Sequence, residues 1–217
     1  MSLKTPKFIY FDLGNVLVTF CNERMCRQMA AVANAPIERV YEVLYGDAAG
    51  ANDLTDTVQW RFEAGRFSGH EYYEHVCELL GARPERSALA FACADMFEPI
   101  DASMRLVERL AAAGCRLGLL SNTNAWHWEH LLDGRFAALN NAFELEVTSF
   151  GAQAMKPDPT IYLHAAQAAG CDPEEIFFTD DRPENVEGAR KAGFDAERFE
   201  STELLIDHLR QRGVSGA

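Results

Sequence analysis

Three short apolar runs set the strongest limit on how this chain can fold: Lys7 to Leu13 (KFIYFDL), Arg116 to Leu120 (RLGLL) and Glu175 to Thr179 (EIFFT). Each is shorter than an ordinary helix and apolar at nearly every interior position, as a strand buried on both faces should be. Each also runs directly into polar residues: Asp12 and Gly14, then Ser121-Asn122-Thr123-Asn124, then Asp180-Asp181. A strand buried on both faces needs a helical layer on each side, and from Ile100 onward the chain supplies one after nearly every strand.

Asp101 can cap a helix whose apolar side is Leu106, Val107, Leu110 and Ala111, with Gly114 suited to the left-handed turn that ends it. Leu145 to Ser149 is a further strand. Asp158-Pro159 opens a helix with proline at its first position, Ile161, Tyr162, Ala165, Ala166 and Ala169 form the buried stripe, and Gly170 stops it. Pro183 to Ala192 is a helix stopped by Gly193, Phe194 to Phe199 a last strand, Thr202 to Arg210 a last helix, and the tail Gly213 to Ala217 is expected to be mobile. The fold class is therefore α/β: a Rossmann-like parallel-sheet core with helices on both faces.

Asn22 to Phe97 has a different texture. Apolar residues recur at helical spacing in Arg24 to Val32, Ile37 to Leu44, Val58 to Glu63 and His70 to Leu80, with almost no strand alternation. The expected organisation is a core domain of residues 1–19 and 98–217, interrupted by an inserted α-helical cap domain of residues 20–97.

In an open parallel sheet, ligands bind beyond the carboxyl ends of the strands. Asp12, Ser121, Asp180 and Asp181 stand at or next to such ends, and Lys156 lies in Met155-Lys156-Pro157-Asp158 just before a helix. An isolated strand-end Asp is more often a helix cap than a nucleophile; together and in this order the residues have a coherent chemical use. Four segments then carry a resemblance: Phe11-Asp12-Leu13-Gly14-Asn15-Val16-Leu17-Val18, Leu120-Ser121-Asn122-Thr123-Asn124, Lys156-Pro157 followed by Asp158-Pro159-Thr160-Ile161-Tyr162, and Phe177 to Val186 with its double Asp. In sequence and order they resemble the four motifs of the haloacid dehalogenase superfamily over nearly the whole chain, and the helical insert falls where that family carries its cap. The Asp-Leu-Gly-Asn-Val and Leu-Ser-Asn-Thr-Asn forms look most like a bacterial α-glucose-1-phosphate phosphatase subgroup.

The resemblance implies a phosphoric monoester hydrolase that acts through an aspartyl-phosphate. Asp12 would be the nucleophile, a role a carboxylate can fill. Mg²⁺, which prefers hard oxygen ligands, would be held by the Asp12 carboxylate, the Gly14 carbonyl and the Asp181 carboxylate. Asp180 would be a ligand through water or a partner for Lys156. Ser121 and the N–H of Asn122 would hold phosphate oxygens, Lys156 would balance charge on Asp12 and the phosphate, and Asn185 would orient the acidic pair. The implied substrate is a small phosphorylated metabolite, a sugar phosphate first among them.

One position departs from the family pattern. Most phosphatases of this superfamily place a second Asp two residues after the nucleophile as general acid and base, and here that position is Gly14. Losing such a group typically costs 10²–10⁴-fold in rate. The sequence does not name the substitute: metal-bound water and a cap residue such as His70 or His75 are the candidates, and a structural or solvent-facing role is the expectation for each histidine. Two other readings stay open: a 2-haloacid dehalogenase, which needs no metal and leaves Asp180-Asp181 without a purpose, and a non-catalytic or regulatory binding protein, for which Gly14 is the best support.

Charge and cysteines narrow the partners. A formal net charge of −13 argues against nucleic acid and anionic membrane surfaces. It also requires the phosphate site to carry its own local positive charge. No apolar run approaches the ~20 residues of a membrane span. The six cysteines include no C-x-x-C pair, so reduced thiols in a cytoplasmic protein, monomer or homodimer, are expected rather than zinc. In the insert, the Gly46 to Asp53 loop and the helix around Trp60, Arg61, Phe62 and Glu63 are the candidate substrate contacts, with Val58 and Phe62 spaced for packing. Arg24 is placed for a phosphate or a surface ion pair, and Trp126-His127-Trp128 for a sugar face, the underside of the cap or a dimer contact.

Overall fold

The computed structural model describes residues 4–46 and 56–217. Its strands, in chain order, are β1 (Phe8–Phe11), β2 (Val18–Phe20), β3 (Phe97–Pro99), β4 (Leu117–Ser121), β5 (Leu145–Thr148), β6 (Ile176–Asp180) and β7 (Asp195–Arg198). Five of them form one sheet in the order β5-β4-β1-β6-β7, all neighbours parallel. The order runs leftward from β1 through β4 to β5 and then returns to β6 on the other side. Such a reversal opens a crevice at the carboxyl ends of the strands that flank it, here β4, β1 and β6.

Side-chain alternation along β1 shows why two helical layers are needed. Ile9 and Phe11 point into a cluster with Leu117, Leu119 and Phe177 and with Leu106, Val107, Leu110, Leu205 and Leu209 from two helices. Phe8 and Tyr10 point the other way, to Leu120, Val147, Phe178 and the stripe Ile161, Tyr162, Ala165, Ala166, Ala169. Gly118 of β4 is required on that second face: a Cβ there would come within 2.5 Å of the Tyr10 ring and 2.7 Å of the Phe8 ring.

The chain leaves the sheet through β2 and returns through β3, which pair antiparallel, Val18 opposite Pro99 and Phe20 opposite Phe97. The boundaries expected at 19/20 and 97/98 fall inside this two-stranded ribbon. Between the ribbon strands lie α1 (Asn22–Ala33), α2 (Ile37–Tyr45), α3 (Val58–Glu63), α4 (Gly69–Leu80) and α5 (Arg86–Ala94). They bury a cluster of their own, built on Met25, Met29, Val40, Leu44, Phe62, Tyr72, Val76 and Leu89. Into it the core inserts Trp126, edge-on to Phe62 at 5.6 Å and to Tyr72 at 5.0 Å. The Gly46 to Asp53 loop lies almost wholly outside the described residues.

The second half continues with α6 (Asp101–Ala112), α7 (Ala125–Leu131), α8 (Ala137–Asn141), α9 (Ser149–Ala152), α10 (Pro159–Ala169), α11 (Pro183–Lys191) and α12 (Thr202–Gln211). Asp158 caps α10 through the Thr160 N–H, as its Asp-Pro pair predicts. Two expectations fail. Asp101 is the first helical residue of α6 rather than its cap, and Ile100 precedes it without a side-chain bond. The tail is also packed rather than loose: Val214 is buried in the α6/α12 cluster, and the Ser215 carbonyl accepts from Cys115. An apolar side chain beside an unfilled edge of core is better buried than solvated. No described helix is long and apolar enough to cross a membrane.

Candidate active site

The turn after β1 lies at the sheet's reversal point. Asp12 leaves the strand with its N–H donating to Thr179 O (2.9 Å), so its position is set by β6 as well as β1. Lys156 enters from the β5–α10 connection, and its side chain is fully buried. Its ammonium spends all three protons: on Asp12 Oδ1 (2.8 Å), Asp180 Oδ2 (2.6 Å) and the Leu120 carbonyl (2.8 Å). The Asn122 side chain holds the lysine in place, Oδ1 accepting from Lys156 N (2.8 Å) and Nδ2 donating to Lys156 O (2.9 Å). The sequence reading assigned Asn122 to phosphate through its N–H; its side chain has this separate bracing task.

The two adjacent aspartates are not equivalent. Asp180 is completely buried and its oxygens are taken by Lys156, by Asn185 Nδ2 (3.0 and 3.1 Å) and by the Arg182 N–H (2.9 Å). Of its two expected roles, the geometry shows the pairing with Lys156. Asp181 is partly exposed, and Asn15 Nδ2 donates to its Oδ2 at 3.0 Å. Asn15 reaches it from a left-handed backbone (φ 54°), which asparagine tolerates. Asn185 lies at the start of α11, orients Asp180, and is itself held by Tyr162, whose hydroxyl donates to Asn185 O (2.7 Å).

Ligand atoms of Asp12, Asp180 and Asp181 lie within 4.8 Å of one another. Asn185 Oδ1, buried beside them, has no hydrogen-bond partner among the described residues. A cluster of hard carboxylate oxygens with an unsatisfied amide oxygen nearby, and no thiolate or imidazole among the cluster's ligand atoms, fits Mg²⁺. Burial pushes the Asp12 carboxyl well above the usual range, Lys156 opposes the rise and Asp180 adds to it. Burial would lower the Lys156 ammonium, but the two carboxylates outweigh it and hold it above its usual value.

A cavity of about 490 Å³ opens over this cluster, floored by Asp12, Gly14, Ser121, Asn122, Lys156 and Asp181. Ser121 is buried at the end of β4, and among the described residues its hydroxyl makes only a long 3.5 Å contact with Asn122 O. At Gly14, a Cβ would lie 3.1 Å from the Phe20 ring, so an aromatic wall fills the side where the family places its second Asp. The roof comes from the inserted helices: Tyr45, Gln59, Trp60 and Glu63. Burial raises the Glu63 carboxyl to about 7 against the lowering influence of Gln59 and Arg182.

The other sequence candidates sort themselves by position. Trp60 and Glu63 line the cavity, whereas Arg61 faces out and pairs with Asp56, and Phe62 is core. Arg24 forms ion pairs with Asp95 and Glu98. His70 and His75 lie in a separate groove along α4 with Glu74 and Arg83, which removes them as proton donors to this cavity. Trp126 packs beneath the inserted helices, and Trp128 packs partly buried against the sheet's helical layer. His127 reaches the cavity edge but is buried; Asn124 Nδ2 donates to its Nδ1 at 3.0 Å and Cys93 Sγ lies 3.7 Å from Nε2. The cysteines are all free; Cys26, Cys77 and Cys93 are buried, while Cys21 is exposed and caps α1. Sequence reasoning did not single out Asn15, Phe20, Tyr45 or Gln59. For Asn15 a signal existed, an asparagine directly after the glycine that follows the strand.

A family model for haloacid dehalogenase-like hydrolases matches residues 7–193. A curated relative, flavin mononucleotide hydrolase 1 of Arabidopsis thaliana chloroplasts, is 28% identical over 116 residues. That match covers 54% of this chain and 46% of the relative, so the chain spans about half the length of the curated relative it matches. Among solved structures, a predicted HAD-like family hydrolase from Porphyromonas gingivalis superposes with a TM-score of 0.77 and 27% identity, covering 95% of this chain and 98% of its own. A HAD family enzyme from Bacteroides thetaiotaomicron, crystallised with magnesium and inorganic phosphate, gives 0.73 and 23%, covering 89% and 93%.

Proposed function

This chain belongs to the haloacid dehalogenase-like hydrolase family, and from that membership we propose that it is a Mg²⁺-dependent phosphatase of small phosphomonoesters that works through an aspartyl-phosphate on Asp12. The observation that carries the reading is the Lys156 ammonium fixed between Asp12 and Asp180, with Asp181 beside them. A dehalogenase has no use for the Asp181 carboxylate that Asn15 holds in place. The intact set of Asp12, Ser121, Lys156 and Asp181 on one cavity floor argues against a non-catalytic binding protein.

Asp12, the Gly14 carbonyl and Asp181 would hold Mg²⁺. When bound, the ion neutralises charge on the phosphoryl oxygens and keeps Asp12 ionised. The chain's own residues do the rest. Asp12 attacks phosphorus in line with the leaving oxygen. Lys156, immobile because Asn122 brackets its backbone, offsets the growing equatorial charge at no cost in reorganisation at the moment of reaction. Ser121 and the Asn122 N–H orient the phosphoryl oxygens, and Asn185 with Arg182 N–H holds Asp180 against Lys156. Residues 20–97 act as the cap: Trp60, Tyr45 and Phe20 present apolar faces to the organic part of the substrate and exclude water.

A sugar phosphate, glucose 1-phosphate first, is the substrate we favour from the motif forms, and the aromatic roof suits a sugar face. The relative's activity makes flavin mononucleotide the second candidate. The test is phosphate release from p-nitrophenyl phosphate, glucose 1-phosphate, glucose 6-phosphate and flavin mononucleotide, with Mg²⁺ or with EDTA. Mg²⁺-dependent release that Asp12→Asn abolishes is expected; release that survives EDTA or Asp12→Asn refutes the mechanism.

A further inference from the structure

The site has a nucleophile and a charge clamp, yet the position two residues after Asp12 is a glycine with an aromatic ring against it. The titratable groups that line the cavity can be tested one by one as proton donors. Asp12 is committed to phosphorus. Asp181 is held by Asn15 within the acidic cluster. All three Lys156 protons are in use. Arg182 is taken up in an ion pair with Glu184. Burial drives the Tyr45 hydroxyl far above its usual range, and His127 is locked between Asn124 and Cys93. Among the described residues this leaves Glu63.

Glu63 is anchored to the reaction floor although it belongs to the inserted helices. Its carbonyl lies 2.6 Å from the Ser149 hydroxyl, whose oxygen accepts the Thr123 N–H at 2.9 Å, in the same loop as Ser121 and Asn122. Two residues on, Gly65 has φ +69° and so close an approach to Phe150 that a Cβ would meet its carbonyl oxygen at 2.5 Å. The end of α3 is thus seated on the α9 backbone. One carboxyl oxygen accepts from Gln59 Nε2 (2.9 Å), and Gln59 Oε1 accepts from Tyr72 (3.1 Å), while the other oxygen makes no hydrogen bond among the described residues.

We propose that Glu63 is the general acid and base of this enzyme, standing in from the cap for the Asp that Gly14 replaces. The proposal rests on the phosphatase reading above. In the first half-reaction the Asp12 oxygen bonds to phosphorus, the phosphorus–oxygen bond to the alcohol breaks, and the Glu63 proton goes to the departing oxygen. In the second, the Glu63 carboxylate takes a proton from water as that water attacks phosphorus, and the bond to Asp12 breaks. Glu63 ends protonated, so the cycle closes. The groups around its carboxyl are Tyr45 on α2, Gln59 on its own helix, Tyr72 on α4, Cys93 on α5 and Arg182 from the β6–α11 turn, with Asp12 and Asp181 in the same cavity lining; the Ser149 hydroxyl on α9 meets its main-chain carbonyl. Burial among mostly uncharged neighbours keeps the carboxyl's titration near neutrality, at about 7, as a group that must give and take a proton requires.

The test compares Glu63→Gln with the parent on p-nitrophenyl phosphate, whose leaving group needs no proton, and on the best alkyl phosphomonoester of the panel above. On the alkyl ester kcat/KM is expected to fall roughly 10²–10⁴-fold, and on p-nitrophenyl phosphate by less than about 10-fold. p-Nitrophenol should appear in a burst ahead of phosphate, because the second half lacks its base. The limb near pH 7 in the alkyl-ester profile should vanish. Unchanged kcat/KM, an equal loss on both esters, or a change in KM alone overturns the proposal while leaving the phosphatase reading intact. A parent protein that releases phosphate from none of the esters overturns both. If Glu63→Gln does not fold, Glu63→Asp decides: the shorter arm should give the same selective loss with the pH limb retained, and equal losses refute the role.

Discussion

Replacing Lys156 with Met keeps the length of the stem and removes its charge. The ammonium makes three hydrogen bonds at 2.6–2.8 Å from a fully buried side chain. Without it, Asp12 and Asp180 face each other with no cation and Leu120 O loses its donor. Removing one partner of a buried ion pair costs roughly 3–5 kcal/mol, and for a chain of this size each kcal/mol shifts Tm by about 2–4 °C. A fall of roughly 6–20 °C is therefore expected in EDTA at pH 8. The sign of the pH dependence follows from Asp12. Burial already raises its folded pKa above the unfolded value, and Lys156 is what restrains the rise. With the lysine gone the folded state binds a proton still more strongly, so stability falls as pH climbs above about 4, and the deficit should be small at pH 5 and large at pH 8. Lys156 itself is held above its usual value, so the parent keeps its contribution through the neutral range and loses it only at alkaline pH. Mg²⁺ should restore more stability to the variant than to the parent. Thermal unfolding followed by circular dichroism at both pH values, with EDTA or Mg²⁺, measures all of this. A variant with the parent's Tm at pH 8 in EDTA, or a deficit that ignores pH, refutes the clamp.

Gly14→Asp should cost about 1–3 kcal/mol, since its Cβ meets the Phe20 ring at 3.1 Å, and adding Phe20→Ala should recover much of that; strictly additive urea midpoints would show that the ring is not the obstacle. Phe62→Ala should destabilise by about 3–5 kcal/mol, because the ring is fully buried, stacked on Tyr72 at 4.1 Å and edge-on to Trp126; an unchanged urea midpoint and Trp fluorescence would remove it from the joint between sheet domain and insert. His127 is held neutral by burial, its pKa lowered to about 3 from 6.5. The unfolded chain therefore binds the extra proton, and stability should drop by about 1.4 kcal/mol per unit as pH falls below about 6.5. His127→Gln should lack that component, so its gap from the parent should narrow between pH 7 and pH 5; parallel curves would refute the assignment.

Local chemistry explains what was legible. Strands buried on both faces must be apolar throughout, so KFIYFDL, RLGLL and EIFFT declare themselves, and the residues just beyond them are the ones a parallel sheet delivers to its reversal point. Helix stops such as Gly170, in the left-handed region at φ 63°, are equally local. The Asp101 cap and the loose tail were misread because both depend on neighbours distant in sequence: where α6 starts, and whether a core edge remains for Val214.

The sequence by itself determined that Asp12, Ser121 and the Asp180-Asp181 pair would stand at or next to strand ends and Lys156 just before a helix, since strand pattern and order are written residue by residue. Only the tertiary structure decided that Asp180 is sealed against Lys156 while Asp181 is left accessible on Asn15, because adjacent residues on an extended chain point to opposite sides and only packing says which side is buried. It alone placed Phe20 over Gly14 and Glu63 over the floor, the latter through Ser149, 86 residues away along the chain. Such contacts carry no periodicity and no motif. They arise where the packed insert meets the sheet's loops, and the group proposed to complete this site comes from that meeting.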